Sequence, residues 1–328
     1  MVRFVVKRLL MGIFVLAGVS FIVFTLLYLS PQDAAETILG NMATEEDRAM
    51  FRSEHGLDKP FLAQYGSYLS NIVLHGDMGT SYASKQPVVT EILQRFPTTF
   101  KLAGLSIILA SLLGITLGLA AAVKQNSIFD NLCTFFSVLG VSMPNFWLGM
   151  MMILLFSVTL KILPPSGFGT PLHWIMPVIA LGIHAASNIM RMTRSSVLEV
   201  IRQDYIRTAN AKGLEERKVV AVHVLKNALI PIVTVIGYAF GRLMGGAVMV
   251  ESIFSIPGLG KLMVDAIKVK NIPLVQGSVL YIAFVLVLVN ILVDVLYFFI
   301  DPRIRAQFET FHIKRAGQAQ EAAKYEPA

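Results

Sequence analysis

Six stretches of this chain are long and apolar enough to cross a lipid bilayer: Leu9 to Leu29, Thr99 to Val123, Leu132 to Leu160, Trp174 to Met190, Ala228 to Val250 and Ser278 to Ile300. A spanning helix needs about 20 predominantly apolar residues. Hydrocarbon offers no partner to a free backbone N–H or C=O, so such segments must be helices that satisfy their own backbone. Composition agrees: of 328 residues 55% are hydrophobic and 15% charged, with mean hydropathy +0.65, whereas about a quarter of residues are charged in soluble domains. The expected fold class is an all-α polytopic membrane protein with six transmembrane helices. Pro144 and Pro177 fall inside the third and fourth stretches and are expected to kink those helices rather than break them. The first stretch outruns the roughly 7–15 residues of a signal-peptide core and no A-x-A cleavage site follows, so it reads as a retained anchor.

With the N-terminus inside, the inner segments carry 17 Lys and Arg and the outer segments 9, over a greater length. The positive-inside rule then places both termini in the cytoplasm. The chain divides accordingly into an amphipathic helix with the first span (1–30), an extracytoplasmic domain (31–97), a five-helix core (98–300) with a cytoplasmic loop at 191–227, and a cytoplasmic tail (301–328). The amphipathic helix rests on MVRFVVKRLL, where Arg3, Lys7 and Arg8 can share a face opposite Phe4, Val5 and Leu9. It is expected to lie along the inner membrane surface. The net charge of +7 is thus a topology signal, and the partner it implies is the lipid bilayer rather than nucleic acid.

One cysteine, Cys133, excludes an intramolecular disulfide and any cysteine-cluster metal site. No metal site is expected elsewhere, because His184 stands alone and the successive Met150, Met151 and Met152 point around a helix rather than at one ion. The run SIPGLGKL contains GLGK, but a phosphate loop needs Gly where Ser255 stands and Ser or Thr where Leu262 stands. Neither H-E-x-x-H nor G-x-S-x-G occurs, so the chain is not expected to be an enzyme. Polar groups within spans usually face the bundle interior or a wet cavity. Asn145, beside Pro144, and His184, Ser187 and Asn188 are therefore candidates for a translocation pathway, against the plainer alternative that they satisfy kinked backbone. Arg242 lies about 20 Å above the inner end of the fifth stretch and Asp294 about 9 Å above that of the sixth, at about 1.5 Å per residue. They are not expected to pair: Arg242 should reach an outer cavity near Glu251, and Asp294 should meet a backbone or another subunit. Lys101, near a span end, can snorkel.

Between the fourth and fifth stretches stands RQDYIRTANAKGLEERKVVAVHVLKN, residues 202–227. From Ser195 to Lys212 it has no Pro or Gly, and Gly213 can supply the left-handed residue that ends a helix. Glu215 and Glu216 suit the positive end of a second helix. The pattern predicts helix, sharp turn, helix, with Ala209 and Ala211 small enough to let another surface approach.

Read from Gly213, this loop resembles the E-A-A-x3-G-x9-I-x-L-P segment of binding-protein-dependent ATP-driven importers. Arg207, Thr208 and Ala209 take the E-A-A positions, while His223, Leu225 and Lys226 take the last three. RTAxAKG followed by HxLxNALIP is similar to the version in the peptide and nickel importer family. HGLDKPFLAQYGSYL, GDMGTSY and RFPTTFKLAG resemble the same family, as do GGAVMVESIFSIPGLG and the closing DPRIR, so the likeness runs from Phe4 to Arg305.

The resemblance implies a type I ABC importer permease arrangement and a bacterial cytoplasmic (inner) membrane. The outer domain between the first two spans implies the B-type membrane subunit, working beside a C-type permease subunit, two ATP-binding cassette subunits and an extracytoplasmic substrate-binding protein. ATP and Mg would sit on the ATPase subunits, with no cofactor on this chain. The ATPase-coupling residues it implies are Arg207, Thr208, Ala209, Ala211, Lys212, Gly213, Leu214 and His223. Glu251, Phe254, Pro257, Gly258 and Gly260 match the family's E-x-I-F-x-x-P-G-x-G pattern and are expected at an extracytoplasmic gate or receptor-facing surface. Cargo divides between dipeptides, oligopeptides and nickel or metal chelates, with GVSMPNFW closer to the nickel branch. The alternative is a secondary carrier or channel working without ATPases, which often shows an inverted repeat; no internal repeat is evident.

Overall fold

The computed structural model describes residues 2–30, 33–40, 42–215 and 218–300. The expected tail with its DPRIR motif, and Glu216, lie outside the described residues. In chain order the helices are α1 (Val2–Tyr28), α2 (Ala34–Leu39), α3 (Glu45–Glu54), α4 (Phe61–Ser70), α5 (Val88–Val123), α6 (Ile128–Ser142), α7 (Asn145–Met152), α8 (Leu172–Ile201), α9 (Asp204–Ala211), α10 (Leu225–Ile253), α11 (Leu259–Lys268) and α12 (Ile272–Ile300). Three π-helical segments, Asn71–His75, Ile153–Thr159 and Val219–Val224, extend α4 and α7 and lead into α10.

Helices α1, α5, α8, α10 and α12 are each long and apolar enough to cross a membrane, and the pair formed by α6 and the α7 segment, bent by 101°, makes a sixth candidate if the two are taken as one span. The bend corrects the kink expected at Pro144. Met143 is extended (φ −79, ψ 125), because the proline ring drives the preceding residue out of the α region. Pro177 does stay within its helix, where its missing N–H leaves the His173 carbonyl, in the first turn of α8, without its i→i−4 partner. Two further boundaries differ. The N-terminal segment is no separate surface helix, since nothing between Val2 and Tyr28 interrupts α1. Ser195 to Ile201 completes α8 instead of opening the loop helix, and the break falls at the extended Gln203 (ψ 146).

Hydrocarbon gives apolar side chains no preference for one another over lipid, so close backbone approach at small residues holds the bundle together. The pairing of α5 with α8 is the most extensive. A Cβ on Gly114 would lie 2.7 Å from the Ile189 side chain, and one on Gly118 only 2.6 Å from the Met190 carbonyl oxygen. These two form a G-x-x-x-G step facing α8. The seam between α10 and α12 is built alike, with Gly237 against Val293 and Gly241 against Val289. Gly12 brings α1 onto Val287 of α12, and Arg8 Nε meets Asp294 Oδ2 at 3.1 Å. Asp294 thus finds its cation in α1 of the same chain, which corrects the expectation of a backbone or foreign partner.

Residues 33–87 form a small helical domain at the end where α1 finishes and α12 begins. Asp33 caps α2 by accepting from the Ala35 N–H at 3.0 Å, and Thr44 with Asp47 forms a capping box on α3. Phe51 and Tyr82 pack over Ala34 and Ala35, and Asn271, just before α12, donates to Ser81 Oγ and accepts from the Tyr82 N–H. The compact part ends at Pro87, the N-cap of α5, ten residues short of the expected boundary, because α5 carries Pro97 inside it.

Candidate functional site

Four of the five pathway candidates meet. A cavity of about 370 Å³ opens between α7, α8 and α10, lined by Asn145, His184, Asn188, Tyr238 and Arg242 among others. His184 and Asn188 stand four residues apart on α8, so the helical period puts them on one face. The Asn188 amide donates to the His184 carbonyl at 3.0 Å. Arg242 Nη2 lies 3.0 Å from His184 Nε2. A guanidinium has only donors, so Nε2 must accept and that nitrogen carries no hydrogen. The other face of the imidazole turns to the Val141 backbone. Ser187 does not join them: it is buried, and its Oγ occupies the space a side chain on Gly140 of α6 would need. Arg242 likewise misses Glu251, against expectation. Lys101 places its ammonium over the Trp174 ring at 4.5 Å.

Glu251, Phe254, Gly258 and Gly260 are all buried, with Glu251 at 0% exposure. The Thr99 hydroxyl donates to Glu251 Oε1 at 2.6 Å, the Lys261 N–H donates to Oε2 at 3.0 Å, and the Leu259 N–H in turn donates to Thr99 Oγ1 at 2.8 Å. A Cβ on Gly258 would fall 2.3 Å from the Glu251 carboxyl carbon; glycine is there because the carboxylate fills that volume. Phe254 packs against Gly149 of α7 while its carbonyl accepts from the Gly167 N–H at 2.8 Å. The segment is therefore an internal knot joining α5, α7, α10 and α11. Pro257 of the same segment is half-buried, and Ser255, at φ +52, is its exposed tip.

At the opposite end of the bundle the chain turns from α8 into α9. Ile206 is 2% exposed and Ala209 packs beside it against the main core, so one face of this eight-residue helix is anchored. The other face is open: Tyr205, Arg207, Thr208, Ala211 and Lys212 are all exposed. Ala209 therefore belongs to the anchored side, which corrects its expected place on a docking face, while Ala211 stays free. Gly213 adopts φ +75 and its N–H bonds to the Asn210 carbonyl at 3.0 Å, the left-handed stop expected there. Leu214 follows, exposed. After the turn, the Val219 N–H bonds to the Glu215 carbonyl and the chain enters π turns that hold the half-buried His223, a geometry frequent at functional sites.

One constellation near this loop escaped the sequence reading. Arg194 Nε and Nη2 bind Asp130 Oδ1 and Oδ2 at 2.6 and 2.7 Å, and the Asn126 N–H also donates to Oδ2 at 3.0 Å. This bidentate pair fixes the start of α6 to α8 about two turns before α8 ends at Ile201. Its signal was Ser127-x-x-Asp130, a helix-start signature.

The comparisons with known proteins fit this architecture. Residues 114–306 match the family described as binding-protein-dependent transport system inner membrane component, and residues 1–103 match its N-terminal companion. The chain is similar to the dipeptide transport system permease protein DppB of Escherichia coli (strain K12), with 41% identity over 93% of this chain and 99% of the relative. It is also similar to the protein of that name from Alkalihalophilus pseudofirmus, at 40% identity over 93% of this chain and all of the relative. A bundle of six candidate crossings, with a profile match across more than half its length and relatives aligned nearly end to end, establishes that the chain belongs to the family of binding-protein-dependent transport system inner membrane components.

Proposed function

We propose that this chain is the B-type permease subunit of an ATP-driven importer that carries small peptides into the cytoplasm by alternating access. The observation that carries the reading is α9. It is a short helix anchored by Ile206 and Ala209, open on its other side and ended by Gly213, and it spaces like the segment that seats on an ATPase. Work done on separate subunits must cross a protein interface as a rigid displacement, and an anchored helix transmits displacement where a loose loop absorbs it. The same reading puts both termini and α9 in the cytoplasm and residues 33–87 outside. It adds a C-type permease subunit, two ATP-binding cassette subunits holding ATP and Mg, and an extracytoplasmic binding protein.

Peptide cargo follows from the relatives, both of them dipeptide permeases; nothing beyond GVSMPNFW favours nickel. Vesicles reconstituted with this chain, its partner subunits and the binding protein test the proposal. Uptake of a labelled dipeptide that requires both ATP and the binding protein supports it. Uptake by this chain alone, driven by an ion gradient, supports a secondary carrier and overturns it.

A further inference from the structure

We infer that Arg242 is a docking point for the carboxylate of the cargo as it passes through the membrane, with His184 positioning the guanidinium; this rests on the peptide reading of the function. Arg242 sits inside α10, eleven residues before its end, and it is exposed to the cavity between α7, α8 and α10. A cation at that depth is costly unless it meets a counter-charge or lines water. Among the described residues it has no carboxylate partner in this chain. The three carboxylates buried among the described residues are engaged elsewhere: Asp130 by Arg194, Asp294 by Arg8, and Glu251 by Thr99 and the Lys261 N–H.

Among the described residues its side-chain hydrogen bond is with an uncharged acceptor. His184 Nε2 takes a single N–H from Nη2, which holds the guanidinium against α8 and leaves further donors for the cavity. A planar fork of donors suits a carboxylate, which it can bind through two parallel hydrogen bonds. The other polar groups of the wall, Asn145, Asn188 and Tyr238, are uncharged, so the cavity carries a single fixed positive charge. A small peptide always offers one matching group, its C-terminal carboxylate, whatever its side chains. A site that reads this group alone accepts many sequences while requiring a free acid end.

The experiment uses the complete transporter in vesicles, supplied with two cargoes that its binding protein holds equally well, one peptide with a free C-terminal carboxylate and one amidated there. Arg242→Gln is expected to lower ATP-driven uptake of the free acid about ten- to a hundredfold, the range for a lost hydrogen bond to a charged group, and to leave amide uptake unchanged. Arg242→Lys should recover part of the free-acid rate. His184→Ala should weaken the preference for the free acid without abolishing it. Equal loss for both cargoes overturns the inference. So does loss of the partner subunit from the purified Arg242→Gln complex, which would assign the guanidinium to a carboxylate of that subunit. Free-acid uptake that survives Arg242→Gln refutes the docking role alone, whereas a wild-type complex that moves no peptide refutes the cargo reading itself.

Discussion

At residue scale the knot around Glu251 shows why particular side chains are where they are. A buried carboxylate is tolerable only with its lone pairs satisfied, and here Thr99 and the Lys261 N–H do so. Thr99→Val removes one donor while keeping the shape and should cost on the order of 2 kcal/mol. Gly258→Ala places a methyl where the carboxylate lies and should cost at least as much; thermal unfolding of the purified subunit reads both. Electrostatics in the domain of residues 33–87 offers a pH handle. Burial raises the Asp33 carboxyl, but the hydrogen bonds from Arg52 and the Ala35 N–H, with the charges of Arg52 and Arg48, outweigh it and hold the group below its ordinary value. A depressed value in the folded state stabilises above the ordinary carboxylate pKa of about 3.9, and that contribution fades as pH falls through the folded value. Proteolysis of this domain should therefore quicken below about pH 4 in the wild type, with a shallower pH response in Asp33→Asn.

The helices differ in how far the sequence exposed them. Long apolar runs made the spans legible, and five of the six came through as single helices because hydrocarbon permits little else. The third did not, because the steric effect of Pro144 on Met143 acts locally while hydropathy averages over the whole stretch. Gly213 was readable because a helix stop needs one residue in the left-handed region and glycine enters it freely. The inward turn of Ala209 and the separation of Ser187 from His184 were not, since composition and spacing name a helix face without saying what packs on it. The pairing of Arg8 with Asp294 joins residues far apart in sequence, which no local pattern records. For α9 itself the prediction is sharp. Gly213→Val forces a β-branched residue to φ +75, costing roughly 1–3 kcal/mol locally. The subunit should remain folded, while ATP-driven uptake falls at least tenfold. Undiminished transport in an intact mutant complex would remove α9 from the coupling path.

For the whole molecule, the α9 end and the end bearing residues 33–87 are held by separate sets of contacts. Asp130 with Arg194 and Arg8 with Asp294 secure the first; Glu251 with Thr99 and Asn271 with Ser81 secure the second. Between them lies the cavity of Arg242 and His184, bordered by α7 just after the bend at Pro144 and by α10 leading from the π turns. Helices α8 and α10 both line that cavity, so under the proposed function they are the elements through which a displacement applied at α9 would reach it, since coupling of two sites needs an element with two arrangements. The central claim is that α9 faces the cytoplasm and seats on an ATPase subunit. Ala211→Cys, in a Cys133→Ser background and in the assembled transporter, tests it most directly by labelling with a membrane-impermeant thiol reagent followed by cross-linking. The expected result is labelling only in inside-out vesicles and a covalent adduct with the ATPase subunit; labelling from the outer side with no such adduct would contradict the account.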